Sequence, residues 1–77
     1  MPTDDEVVET AAEAAEDVVL SRLDVGELED VDVTVTFEDG RLAVDVYVNA
    51  PDSSVDEQRV ADDAALAARG AVDDLMD

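Results

Sequence analysis

Asp39-Gly40 stands between two segments of strict alternation, Val31-Asp-Val-Thr-Val-Thr-Phe37 and Leu42-Ala-Val-Asp-Val-Tyr-Val48. A side-chain period of two is the signature of a strand with one buried face, and an Asp-Gly pair between two such runs specifies a two-residue type I′ hairpin. The turn leaves no freedom of register. It sets Glu38 opposite Arg41, Phe37 opposite Leu42, Val35 opposite Val44, Val33 opposite Val46 and Val31 opposite Val48. Eight apolar side chains then share one face, and Asp32, Thr34, Thr36, Ala43, Asp45 and Tyr47 share the other. A one-residue slip would turn every apolar residue outward.

The flanking segments carry the other period. Val7/Val8, Ala11/Ala12, Ala14/Ala15, Val18/Val19 and Leu23 recur at three-to-four spacing, with Glu9, Glu13, Glu16 and Asp17 mainly between them. This predicts an amphipathic helix from about Asp4 to Leu23, opened by a capping box of Thr3 with Glu6. Gly26 is expected to supply a C-terminal cap or turn, with Val25 and Leu28 closing the helix end. Beyond Asn49-Ala-Pro-Asp52, Ser54-Val-Asp-Glu57 reads as a second capping box, which makes Ser53 and Ser54 helix-cap residues. The helix it opens runs to about Met76, with Val60, Ala61, Ala64, Ala65, Ala67, Ala68, Ala71, Val72, Leu75 and Met76 apolar. Gly70 inside that helix suggests a close backbone approach. The order is α-β-β-α, a single α+β domain over residues 1–77. Two antiparallel helices are expected to cover one face of one antiparallel hairpin.

Composition narrows the chemistry. Of 77 residues 23 are Asp or Glu, four are Arg and none is Lys, His or Cys, giving a net charge of −19. Disulfides, thiolate or imidazole metal sites and the usual nucleophile–base pairs are therefore closed to this chain. No cofactor is expected. The charge argues against nucleic acid and anionic membranes as partners, no apolar run approaches the length of a membrane span, and the acidic start does not resemble a secretory leader. Acids spread along the whole chain, Asp in excess of Glu, and Val and Ala in place of bulkier hydrophobes describe an intracellular protein adapted to molar salt. There the Debye length falls to about 3 Å.

One cluster can be given a chemical reading. On the outer face Asp32 faces Tyr47, Thr34 faces Asp45, and the two Asp are diagonal neighbours. Two carboxylates so placed suit a hard cation or an acid–base pair; a solvated surface accounts for them as well. Asp32, Asp45 and Tyr47 are thus the candidate interaction face. Arg59 is expected to pair with Asp56, Asp62 or Asp63, and Arg69 with Asp73, at helical spacings.

The segments Asp4-Asp-Glu-Val-Val8, Val31–Gly40, Val44-Asp-Val-Tyr-Val48 and Val60-Ala-Asp-Asp-Ala-Ala-Leu66 resemble a small haloarchaeal family of unknown function and of about this length. Its members are often encoded near the prefoldin beta subunit and a small KEOPS-complex subunit. The resemblance implies an archaeal, cytoplasmic protein tied to translation or protein folding, and it carries over no catalytic residue. The expectation from the residues is a non-enzymatic protein-interaction or accessory module. A carboxylate-based cation-binding protein or hydrolase using Asp32 and Asp45 is the first alternative, and an RNA- or translation-associated accessory protein the second. A lone hairpin leaves both edges unpaired, so a protein partner or a homodimer is expected, with Leu42–Val48 the favoured edge.

Overall fold

The computed structural model describes residues 2–24 and 26–77. The elements are helix α1 (Asp4–Arg22), strand β1 (Asp30–Glu38), strand β2 (Arg41–Asn49) and helix α2 (Glu57–Met76). The strands form a two-stranded antiparallel sheet in the register the turn dictates, from Glu38↔Arg41 to Asp30↔Asn49. Asp39 (φ 51°) and Gly40 (φ 76°) both occupy the left-handed region, as a type I′ turn requires. A β-branched residue is strained there. Gly40→Val is therefore expected to cost about 1–2 kcal/mol, read as a lower denaturant midpoint at constant molar salt.

The helices pack on the same face of the hairpin, α1 against β1 and α2 against β2, and the most extensive packing is between the helices themselves. Each contributes a ridge of residues four apart: Val7, Ala11, Ala15 and Val19 on α1, and Val60, Ala64, Ala68 and Val72 on α2. Leu23, Val48, Ala50 and Ala61 complete the buried core, whose side chains are all Ala, Val or Leu. Small side chains permit close approach of the helices. Arg22 Nη1 meets Asp63 Oδ2 at 2.8 Å across the pair, the only ion pair among the described residues. Both partners are part exposed, so it is worth under about 1 kcal/mol.

At the start of α1 the Thr3 hydroxyl accepts from the Glu6 backbone N–H at 3.1 Å, as expected of a capping box. The Glu6 carboxylate in turn lies 3.4 Å from that hydroxyl. Four details depart from the sequence reading. The cap of α2 is Asp56, whose carboxylate accepts from the Gln58 and Arg59 N–H groups. Asp is a preferred N-cap residue, and its charge also complements the helix dipole. Ser53 instead accepts from Val55 N at 3.1 Å in a local turn, and Glu57 reaches back to accept from Ala50 N at 2.6 Å. The end of α1 is capped by extended Leu23, whose N–H donates to Val19 O; Gly26 lies beyond it in a turn. Val25 lies outside the described residues, and Leu28 packs half buried against the core. Arg59 and Arg69 do not form the expected pairs; Asp63, one of the partners expected for Arg59, pairs with Arg22 and joins the helices instead.

Gly70, the fourth departure, is exposed, and a Cβ built there meets nothing within 4 Å. No backbone approaches it. Gly70→Ala is therefore expected to stabilise the chain by about 1 kcal/mol, raising Tm by roughly 4–8 °C for a domain of this size.

Candidate functional site

The outer face of the hairpin carries Asp32, Thr34, Thr36, Ala43, Asp45 and Tyr47, all exposed and with no layer above them. The structure brings the three sequence candidates together as the register requires: Asp32 opposite Tyr47, and Asp45 opposite Thr34. Tyr47 is the largest side chain on this face, at 55% exposure. Neither carboxylate is buried or engaged in an ion pair. Among the described residues no third acidic side chain joins them in a group that could hold a metal ion. Hard divalent cations take six or more oxygen ligands, so two solvated carboxylates would leave most of the shell to water.

The inner face is less covered than the alternation suggests. Of its eight apolar side chains only Val48 is buried; Val33, Val35, Phe37, Leu42, Val44 and Val46 are half buried, and Val31 is 40% exposed. Both strands are edges, so solvent reaches the inward side chains from the side, and the two layers differ in width. Helix axes pack roughly 8–10 Å apart, whereas paired strands lie about 4.8 Å apart. Two helices over two strands therefore overhang the sheet, and each helix axis stands roughly 2 Å outside its strand by those spacings. Under each overhang runs a groove.

The α1–β1 groove is lined by Glu16, Val19, Leu20, Val31 and Val33 and encloses about 150 Å³. Leu20, 53% exposed, and Val31 form its apolar lip. The α2–β2 groove is lined by Val46, Tyr47, Val48, Asp56, Glu57, Gln58 and Ala61. Its carboxylates already serve the fold, Asp56 as helix cap and Glu57 as acceptor for Ala50 N. Sequence reasoning did not find the first groove. The signal was Leu20, an apolar residue out of phase with the ridge Val7, Ala11, Ala15, Val19.

The register also fixes which backbone groups are free. The pair flanking a two-residue turn is hydrogen-bonded, and pairs alternate from there. Glu38, Thr36, Thr34 and Asp32 therefore exchange bonds with β2, and the N–H and C=O groups of Phe37, Val35, Val33 and Val31 point away from it. By the same alternation the free edge of β2 belongs to Leu42, Val44, Val46 and Val48.

No family model matches the chain. It is 54% identical over 76 residues to an uncharacterized protein of the haloarchaeon Natronomonas pharaonis, a match spanning 99% of this chain and 90% of that protein. Its fold is similar to the solution structure of the hypothetical protein mth677 from Methanothermobacter thermautotrophicus. That likeness has a TM-score of 0.75 at 24% identity and covers 99% of this chain and 90% of the other. It speaks to the fold, a helix, a hairpin and a helix in that order. None of the described helices is long and apolar enough to cross a membrane. With more than half its residues shared over nearly the whole length, this chain belongs to the same small archaeal family of uncharacterized proteins as the Natronomonas protein.

Proposed function

We propose that this protein is a non-enzymatic interaction module that takes up an extended segment of another protein as a third strand on its hairpin. The single observation that carries the reading is the open sheet edge under an overhanging helix. Main-chain donors and acceptors lie in a row there, with an apolar notch of about 150 Å³ beside them. Strand addition draws its affinity from such a row and its specificity from the pockets beside it.

The overhang favours a partner strand over self-association. Two hairpins joined edge to edge through β2 would bring the two α2 axes within roughly 1 Å of the same line, given strand and helix spacings. A single extended segment carries no helix of its own and avoids that collision. Pairing with another protein is accordingly preferred to the symmetric dimer expected from the sequence. From the family resemblance the module works in the cytoplasm, in association with translation or protein folding. The reading assigns no catalytic step: the chain has no His, Cys or Lys, and the carboxylates of Asp32 and Asp45 stand exposed and without ion-pair partners on the outer face.

Affinity purification from the native host in molar salt, followed by amide hydrogen exchange on the complex, tests it. A stoichiometric protein partner that protects edge-strand amides is the expected result. A protein that purifies alone, or a partner whose footprint lies on the helices only, would refute the reading.

A further inference from the structure

The two grooves are not equivalent, and the difference names an occupant. In the α2–β2 groove the carboxylates are committed to Ala50 N and to the first turn of α2. In the α1–β1 groove the flank of the helix is a continuous stripe, Leu20 and then Glu16, Glu13 and Glu9 at steps of four, three and four residues toward the hairpin turn. All four are exposed, and none of the three acids has an ion-pair partner among the described residues. The outer face of β1 adds Asp30, Asp32 and Glu38, also exposed and unpaired. The edge of β1 therefore offers free main-chain groups, an apolar notch at its open end, and carboxylates along both sides.

The geometry points to the α1–β1 groove as the docking site, and to a basic extended peptide of alternating character as its occupant. The inference rests on the strand-addition reading above and commits it to one edge and one chemistry. A strand laid beside β1 exchanges hydrogen bonds with Val31, Val33 and Val35. Its inward side chain nearest Val31 must be aliphatic, since Leu20, Val19 and Val33 close around it. Inward side chains nearer the turn come beside Glu16, Glu13 and Glu9. Arg or Lys suits those places, because the stem covers the exposed parts of Val35 and Phe37 while the charged end reaches a carboxylate. An acidic or neutral strand would be set among like charges or leave the stripe unmatched. A second copy of this chain, at −19, is the wrong occupant by the same measure.

The test uses two nine-residue peptides, one alternating Arg and Val, the other Glu and Val. Each is titrated into the isotopically labelled protein in about 1 M KCl, where charges beyond about 3 Å are screened. The Arg–Val peptide is expected to shift and protect the amides of Val31, Val33 and Val35. Leu20→Asp should weaken it about tenfold with the circular dichroism unchanged, because the substituted side chain is already solvent-exposed. Glu13→Lys with Glu16→Lys should transfer preference to the Glu–Val peptide. Protection at Leu42, Val44 and Val46 instead would overturn the groove assignment and leave the module reading standing. Equal binding of both peptides overturns the assigned chemistry. Protection at neither edge overturns this inference and the strand-addition reading together.

Discussion

Transfer from about 2 M KCl to about 20 mM is expected to unfold this protein, the largest effect foreseen here. The net charge is −19 and the folded chain has a radius of gyration of 12.8 Å. Smeared over a sphere of that compactness, and compared with the expanded chain, the charge disfavours folding by roughly 15–20 kcal/mol at 20 mM salt. At 2 M the same comparison gives about 4 kcal/mol. Small domains have about 5–15 kcal/mol of stability in total, and the core here is built of Ala, Val and one Leu. Low salt therefore exceeds what the core supplies, and molar salt does not. The described residues hold one cross-helix ion pair to set against 23 acids. Circular dichroism across a salt titration should show helix lost below roughly 0.5 M, where the Debye length passes about 4 Å. Acidification toward the isoelectric point near 4.1 removes charge without adding salt and should restore structure. An unchanged spectrum and Tm at 20 mM would contradict the argument.

Most of this architecture was legible from residues. Asp39-Gly40 demands two left-handed residues, and once they are placed every pairing from Glu38↔Arg41 to Asp30↔Asn49 follows. The helix limits followed from periodicity to within a few residues, and so did the ridges of Ala and Val. Capping chemistry was less legible. Ser54 and Asp56 both satisfy a cap pattern, and which one caps depends on where the chain leaves Ala50 and on the Glu57 hydrogen bond to its N–H. Cross-element partners were the least legible. Asp63 lies four residues from Arg59 in sequence, yet it pairs with Arg22 on the other helix. That Asp32, Asp45 and Tyr47 share the outer face was legible, because a strand's alternation fixes it. The α1–β1 groove was not, because it arises from a mismatch between the widths of two layers, and no local pattern encodes that. Leu20 alone hinted at it.

Ala64→Leu should destabilise the fold by about 1–3 kcal/mol, even though it adds an apolar side chain to a core that has few large ones. Two effects of opposite sign compete. Burying three more carbons favours folding by roughly 2 kcal/mol if room exists. If none exists, the helices must separate or the Leu must adopt a strained rotamer. Exposure decides the sign. Ala64 is fully buried, as are its α2 ridge neighbours Val60 and Ala68 and the opposing Ala11 and Ala15 of α1. With fully buried Ala on both sides of the seam, the helices approach closely, and interiors packed at native density leave no room for three further carbons. Separation would also carry α1 further past β1, uncovering Val31 and Val33 and widening the groove where a partner strand docks. Leu66→Ala is the control on the same helix: that side chain is 67% exposed, and its loss should change stability by no more than about 0.5 kcal/mol. Denaturant midpoints measured in about 2 M KCl, where charge repulsion is equally screened for all variants, separate the two. A higher midpoint for Ala64→Leu would mean that the seam is loosely packed. The α1–β1 groove would then not follow from the widths of the two layers.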